Sequence, residues 1–215
     1  MGKERDRRET GTLIRLHVVV EGQTEETFVR DLLTEDLVAH DVIVDARRIT
    51  TGRSRGRIYR GGFVSYEHLR REVRLWLSQD QRADARVTSM VDLYRMPAGL
   101  PDLDNAHRFQ DPIERAQFLE TAFANDVNNP RFVPFIQVHE FEALLFSDPS
   151  AFAAAFPGRN EEIAELERIR RSFPSPEHID DGKHTSPSKR ISALFPAYEK
   201  VASGVLIARR IGLRA

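Results

Sequence analysis

The sequence predicts an α/β protein with a mainly parallel, four-stranded sheet flanked by helices, followed by a helical C-terminal part. Two observations lead to this prediction. Strand-like and helix-like segments alternate four times before residue 139, which is typical of strands joined by helical crossovers. Beyond residue 139 the apolar residues recur at helical spacing, with no further strand pattern.

The predicted strands are short and rich in β-branched residues. The first ends in the unbroken apolar run V-V-V, as expected for a strand that is buried on both faces. The four strands are predicted at 13–20, 42–46, 85–91 and 131–138.

The helices that follow the first three strands have recognisable starts. Thr24 is predicted to cap a helix from Glu25, a second helix begins at Tyr66, and Asp111 caps a third that begins at Pro112. The remaining helices are predicted at 140–156, 159–172, 187–195 and 198–211.

Glycines, prolines and charges mark the connections and the ends of the chain. The stretches 47–62 and 93–110 are predicted loops. We expect three segments: a flexible charged tail at 1–14, an α/β core at 15–148 and a helical C-terminal extension packed on the core at 149–215.

Composition excludes several classes of function. The 215 residues carry a net charge of −1, so any attraction to nucleic acid must be local. There is no cysteine, which excludes disulfides, thiolate nucleophiles and cysteine-based metal sites and fits a reducing cytoplasm. No apolar stretch approaches the roughly 20 residues of a membrane span, so we expect a cytoplasmic protein without membrane contact.

Acidic residues follow three of the predicted strands. Glu21 ends the first, Asp92 the third, and Glu142 lies just beyond the fourth, after His139 and Glu140. The carboxyl ends of parallel strands form the ligand site of α/β sheets. Carboxylates gathered there repel one another unless a cation neutralises them, and their hard oxygens suit Mg²⁺ or Mn²⁺.

Each acid also has a purely structural interpretation. Glu21 could contact the following helix or an arginine, and Asp92 could be an ordinary loop residue. Glu140 and Glu142 could be solvated acids in the first turn of a helix, and His139 a packed, hydrogen-bonded histidine.

Two basic segments suggest nucleic-acid contact. Nine arginines lie between 47 and 74, against two acids; four stand among glycines near Tyr59 and could follow a phosphate backbone. Those four are Arg53, Arg55, Arg57 and Arg60. Ser188, Lys189 and Arg190 follow the predicted start of a helix, where phosphate binds favourably. The alternatives are a solvated loop and an ordinary capped surface helix.

Four short motifs carry a resemblance to a known family. They are E-G-Q-T-E-E at 21–26, V-D-L-Y-R-M-P at 91–97, H-E-F-E-A-L-L-F at 139–146 and T-S-P-S-K-R-I at 185–191. In this order they resemble the landmarks of a bacterial family known as domain of unknown function 4276. The family is described as Toprim-like (topoisomerase–primase fold) and as a distant relative of OLD-type nucleases.

The resemblance implies a Toprim-like core and roles for individual residues. Glu21 matches the Toprim glutamate, a metal ligand or general acid/base, and Asp92 matches the first aspartate of the Asp-x-Asp motif. Tyr94 stands in place of the second aspartate, and tyrosine is a poor Mg²⁺ ligand near neutral pH. Three alternatives follow: another acid (Glu142, Asp102 or Asp104) completes the site, the metal binds weakly, or the site is not that of a standard nuclease. Glu25 could also reach the metal, or act only as an acid at a helix N-terminus.

Taken together, the residues and the resemblance predict a Mg²⁺- or Mn²⁺-dependent nuclease acting on DNA or RNA. Lys189 would neutralise the phosphate. The resemblance further implies an ATPase partner and a role in bacterial anti-phage defence. Two alternatives stay open: a non-catalytic Toprim-scaffold subunit of an ATPase or nucleic-acid complex, and an enzyme acting on a small phosphorylated molecule.

Overall fold

The computed structural model describes residues 13–54, 57–60, 65–96, 98–179, 182 and 184–213, with backbone alone at 51–54, 57–60 and 95. The predicted charged tail at 1–14 therefore lies almost entirely outside the described residues. None of the helices within the described ranges is long and apolar enough to cross a lipid bilayer.

A parallel sheet forms the centre of the fold, which confirms the predicted α/β class. The strands are β1 (Ile14–Val20), β2 (Val42–Arg48), β3 (Thr50–Ser54), β4 (Arg57–Arg60), β5 (Ala85–Asp92), β6 (Phe132–Val133) and β7 (Ile136–Gln137). The order across the main sheet is β2-β1-β5-β6, β7 also pairs with β5, and all of these pairings are parallel.

The last predicted strand is divided in the structure. β6 and β7 are two short strands on either side of Pro134, whose nitrogen has no hydrogen to donate to a neighbouring strand. Ser89 of β5 fills the gap: its Oγ donates to the Phe135 carbonyl at 3.0 Å and accepts from the Phe135 N–H at 3.1 Å. The described part of the main sheet therefore has five strands rather than four.

The predicted loop at 47–62 is wrong in part. β2 continues to Arg48, and β3 and β4 then form an antiparallel hairpin. The prediction gave weight to the arginines and glycines and overlooked the β-forming residues Thr50, Ile58 and Tyr59.

Helices cover both faces of the sheet. They are α1 (Gln23–Phe28), α2 (Thr34–Val38), α3 (Tyr66–Gln79), α4 (Leu103–Ala106), α5 (Pro112–Val127), α6 (Glu142–Leu145), α7 (Asn160–Arg171), α8 (Pro187–Leu194) and α9 (Val205–Ile211). Five-residue π-helical turns join α1 to α2 and lead into α9; they are Val29–Leu33 and Lys200–Gly204. The structure confirms the predicted helices at α3, α5, α7 and α8, and α4 lies inside the predicted loop 93–110.

The predicted helix at 140–156 is wrong. Only α6 is α-helical there, and a 3₁₀-helix follows at Pro149–Ala154. Proline disfavours the α conformation in the residue before it, here Asp148. The Asp148 side chain instead accepts a hydrogen bond from the Ser150 N–H at 3.0 Å and caps the new turn.

Two hydrophobic clusters hold the helices on the sheet. Because side chains alternate along a strand, Val18 and Val20 of β1 belong to one cluster and Val19 to the other. The first cluster also contains residues of α1 and of the C-terminal helices α7 to α9, among them Phe28, Leu166, Ile191 and Ile207. The second contains residues of α3 and α5, among them Leu69, Val73, Leu119 and Phe123. The division at residue 148 stays a prediction.

The Ser89 bridge gives a test of the divided strand. We expect Ser89→Ala to lower the free energy of unfolding by about 1–2 kcal/mol, because both polar backbone groups of Phe135 lose their partner. Urea denaturation would measure this loss, and amide exchange in β7 should become faster. Thr88→Ala, on the same strand, is the control and should cost less; equal costs would contradict a special role for Ser89.

Candidate functional site

The carboxyl ends of β1 and β5 lie side by side at one edge of the sheet. Val20, the last residue of β1, pairs with Met90, and the Glu21 N–H donates to the Met90 carbonyl at 3.3 Å. Asp92 ends β5 and pairs with Gln137 of β7. Glu21 and Asp92 therefore stand at the ends of adjacent parallel strands, the position at which α/β sheets bind ligands.

The turn after β1 brings a third carboxylate to this edge. α1 begins earlier than predicted, with Gly22 rather than Thr24 at its N-cap. The Gly22 N–H donates to Oε2 of Glu25 at 3.0 Å, so Glu25 has the structural role that the sequence left open for it. A β-carbon at position 22 would lie 2.9 Å from this oxygen, so a larger residue would displace the Glu25 carboxylate.

The Asp92 carboxyl group is buried among like charges. Burial raises its pKa well above the ordinary value, and the negative charges of Glu21 and Glu25 raise it further, while the positive charge of Lys200 opposes them. The negative charge of Glu140 also raises the pKa of Asp92. We refer to Glu21, Glu25, Asp92 and Glu140 as the acidic rim. Such a group is unfavourable unless protons or a cation neutralise it.

Lys200 is a cation that the fold itself supplies beside the acidic rim. Its Nζ lies 2.8 Å from Oε2 of Glu142 and 3.3 Å from Oε2 of Glu140. The Ser188 hydroxyl donates to Glu140 at 2.6 Å, and the Tyr198 hydroxyl donates to Glu142 at 3.3 Å. We refer to these five residues as the lysine network. It connects the segment that follows β7 with α8 and with the residues just before α9.

The two carboxylates of the lysine network are buried, whereas 43% of the Lys200 side chain is exposed to solvent. Glu142 is fully buried, and burial raises its pKa in spite of the opposing charge on Lys200. Burial acts in the same way on Glu140, but the hydrogen bond from Ser188 and the charge of Lys200 outweigh it and lower the pKa. Burial acts to lower the pKa of Lys200, but the charges and hydrogen bonds of Glu142 and Glu140 together outweigh it, so the pKa is raised. Lys200 therefore stays protonated at neutral pH.

The predicted phosphate-binding residues at the start of α8 differ in their surroundings. Ser188 is bound to Glu140 in the lysine network, whereas Lys189 is exposed to solvent. Arg190 donates through Nε to the Thr185 carbonyl at 2.5 Å, a contact that closes the turn before the helix. Of the two cationic side chains, Lys189 is therefore more accessible to solvent than Arg190.

The remaining predicted residues lie elsewhere. Arg53, Arg57 and Arg60 are on the β3–β4 hairpin, where the structure describes the backbone alone, and Arg55 is outside the described residues. Asp102, one of the acids proposed to complete the site, accepts a hydrogen bond from its neighbour Asn105 on α4 at 2.8 Å. Asp104 lies in the first turn of the same helix.

Sequence reasoning missed Lys200 and Tyr198 as site residues. One signal was present. Only four of the 32 basic residues are lysines, and three of those four lie between 183 and 200. Lysine carries its charge on a compact ammonium group, and that of Lys200 lies between the carboxylates of Glu140 and Glu142.

The acidic rim suits a divalent cation that is bound by few protein ligands. Among the described residues, no group of three or more His, Cys, Asp or Glu side chains is arranged to hold a metal ion. Mg²⁺ is often bound by one or two carboxylates, with water and substrate phosphate in its other positions. Glu21 and Asp92 would supply such a pair, while Glu25 is hydrogen-bonded at the helix cap and Glu142 is neutralised by Lys200.

The parallel sheet and its acidic edge define an α/β protein with a candidate site at the carboxyl ends of its strands. The chain belongs to the family described as a domain of unknown function (DUF4276), whose model matches residues 20–215. This assignment confirms the family resemblance that the four motifs indicate.

One solved structure shows a distant likeness, the C-terminal region of the OLD protein of Xanthomonas campestris pv. campestris. It is 16% identical, the match covers 92% of this chain and 95% of that chain, and the TM-score is 0.34. At that TM-score the two structures differ too much for the likeness to carry a functional argument. No curated protein shows significant similarity to the chain.

The lysine network can be tested through stability. We expect Lys200→Met to lower the free energy of unfolding by about 2 kcal/mol or more, because it leaves the buried Glu142 carboxylate without its cation. Adding Glu142→Gln should recover part of the loss, since the glutamine is neutral. Lys189→Met is the matched control. Equal unfolding free energies for the two lysine variants in urea would show that the network does not stabilise the fold.

Proposed function

We propose that the chain is a Toprim-like nuclease that depends on Mg²⁺ or Mn²⁺ and hydrolyses phosphodiester bonds in DNA or RNA. The observation that carries this proposal is the placement of Glu21 and Asp92 at the ends of adjacent parallel strands, with like charges around the buried Asp92. Membership in the DUF4276 family supports it further, together with the resemblance that matches Glu21 to the Toprim glutamate and Asp92 to the first aspartate of the Asp-x-Asp motif.

The residues of the site would divide the work as follows. Glu21 and Asp92 would hold the metal ion through their carboxylates. The bound ion would polarise a phosphoryl oxygen and lower the pKa of a bound water. Lys200, protonated and acting electrostatically on Asp92, would stabilise negative charge developing on the phosphate. Lys189, which the sequence predicts for this role, would contact the strand from the exposed start of α8.

The nucleic-acid backbone would extend from this site over the arginine-bearing hairpin β3–β4 and past Arg190. An ATPase partner and a role in anti-phage defence belong to the proposal through the family resemblance alone. The cysteine-free composition fits action in a reducing cytoplasm.

A second function is favoured by specific observations: a non-catalytic subunit that binds an ATPase or nucleic acid on a Toprim-like scaffold. Tyr94 stands where the resemblance places the second aspartate, and its side chain is 39% exposed. The described residues also contain no three-ligand metal group. A scaffold of this kind would keep the acidic rim for structure and would not cleave.

Cleavage assays with Mg²⁺ and Mn²⁺ test the proposed function. The substrates should include duplex DNA, single-stranded DNA and RNA. We expect Glu21→Gln and Asp92→Asn to lower the cleavage rate at least about 100-fold, because each variant removes one of two charged ligands. Glu161→Gln, which changes an exposed acid in the first turn of α7, is the matched control and should leave the rate unchanged.

The outcomes separate the two functions. Equal rates in the wild type and both rim variants would refute metal-dependent chemistry at this site. Nucleic-acid binding without cleavage under any metal condition would favour the scaffold. Inhibition of cleavage by free nucleotide, together with release of phosphate from small molecules, would instead favour an enzyme that acts on a small phosphorylated molecule.

A further inference from the structure

A cavity of about 350 Å³ opens next to the acidic rim. Its wall begins immediately after β5: Tyr94, which lines it, is two residues beyond Asp92. His139 also lines the cavity and is two residues beyond Gln137, the residue that pairs with Asp92. The cavity and the candidate metal-binding carboxylates therefore share one edge of the sheet.

The wall of the cavity combines apolar side chains with planar polar ones. Leu103, Leu119 and Val138 form part of its apolar surface. Tyr94 and Arg115 contribute a phenol ring and a guanidinium group. Apolar walls with a few oriented polar groups are typical of small-molecule sites, and flat, partly apolar groups with polar edges fit them best. A nucleobase has this character.

Arg115 offers hydrogen-bond donors at the wall of the cavity. One of its Nη atoms donates to the Phe109 carbonyl at 2.9 Å, which fixes the guanidinium group. Its Nε is buried and has no hydrogen-bond partner among the described residues. The guanidinium group at the wall favours a ligand that brings hydrogen-bond acceptors. Base edges carry such acceptors, and arginine is a common reader of them.

Tyr94 supplies an aromatic face where the metal-binding motif would have an acid. With 39% of the residue exposed, Tyr94 is accessible from solvent as well as lining the cavity. Aromatic side chains bind bases of single-stranded nucleic acid by stacking, whatever the base. At the position where the motif would have a metal-binding aspartate, Tyr94 therefore offers a surface for binding a base.

We propose that this cavity is a base pocket that receives one unpaired nucleobase of the strand whose neighbouring phosphate faces the acidic rim. The inference deepens the proposed function and rests on it for the position of that phosphate. The volume is near the lower end of the range for ligand pockets and is enough for one base, and a base has to leave the duplex stack to enter such a pocket. The preferred substrate is therefore a single-stranded or locally unpaired nucleic acid.

The test uses a single-stranded oligonucleotide containing 2-aminopurine, in EDTA so that no cleavage occurs. Stacking in the pocket should quench the fluorescence, and titration gives the affinity. We expect Tyr94→Ala to weaken binding at least about fivefold and to reduce the quench, and Tyr94→Phe to retain both, because phenylalanine also stacks. Phe135→Ala removes another exposed aromatic residue outside the pocket and should change neither.

A second variant reduces the volume of the pocket. Ala106→Leu places extra volume in the cavity lining without removing an aromatic ring, and it should weaken quenching if the variant melts like the wild type. Equal affinity and quench in the wild type and in Tyr94→Ala would overturn the proposal. Because binding is measured without metal, quenching without nuclease activity would refute the proposed function but keep the pocket. Nuclease activity, together with the same quench in Tyr94→Ala as in the wild type, would support the proposed function and refute the pocket.

Discussion

The parallel pairing of β1 with β5 is the constraint on which the site depends. It sets Val20 against Met90 and so places Glu21 and Asp92 at neighbouring strand ends, although 70 residues separate them along the chain. The buried run Val18–Val20 fixes this register, because a shift of one residue would exchange the two faces of β1 between the two hydrophobic clusters. The carboxylates are thus brought together by the packing of valines, and not by any attraction between them.

This arrangement stores electrostatic repulsion in the native state. Burial and the charges of Glu21 and Glu25 both disfavour an ionised Asp92, and Lys200 offsets them only in part because it is also paired with Glu140 and Glu142. Glu25 caps α1 and Glu140 is paired with Lys200, and the buried Asp92 carboxyl group lies near both of these carboxylates. A divalent cation held by two of them would relieve the repulsion and would put the charge beside the base pocket, where a phosphate would lie.

Much of the fold could be predicted from the sequence, and less of the site. Valine runs, the Asp111 cap and helical spacing predict β1, β5, α3 and α5, because these signals are local. The division of the last strand and the hairpin after Arg48 had local signals as well, Pro134 and the β-forming residues Thr50, Ile58 and Tyr59, and the prediction gave these too little weight. The placement of Lys200 depends on a C-terminal turn reaching the end of β7, a contact across about sixty residues that no local pattern encodes. Sequence order could suggest that Glu21 and Asp92 meet, but not that Lys200 would neutralise Glu142.

The proposed function requires that Glu21 and Asp92 jointly bind one divalent cation. A crystal grown or soaked with Mn²⁺ tests this binding, since the anomalous signal locates the ion without reference to activity. We expect one anomalous peak within coordination distance of a carboxylate oxygen of Glu21 and one of Asp92, and its loss in Asp92→Asn. A Mn²⁺ peak elsewhere, or none at this edge while Lys200 stays paired with Glu140 and Glu142, would contradict it.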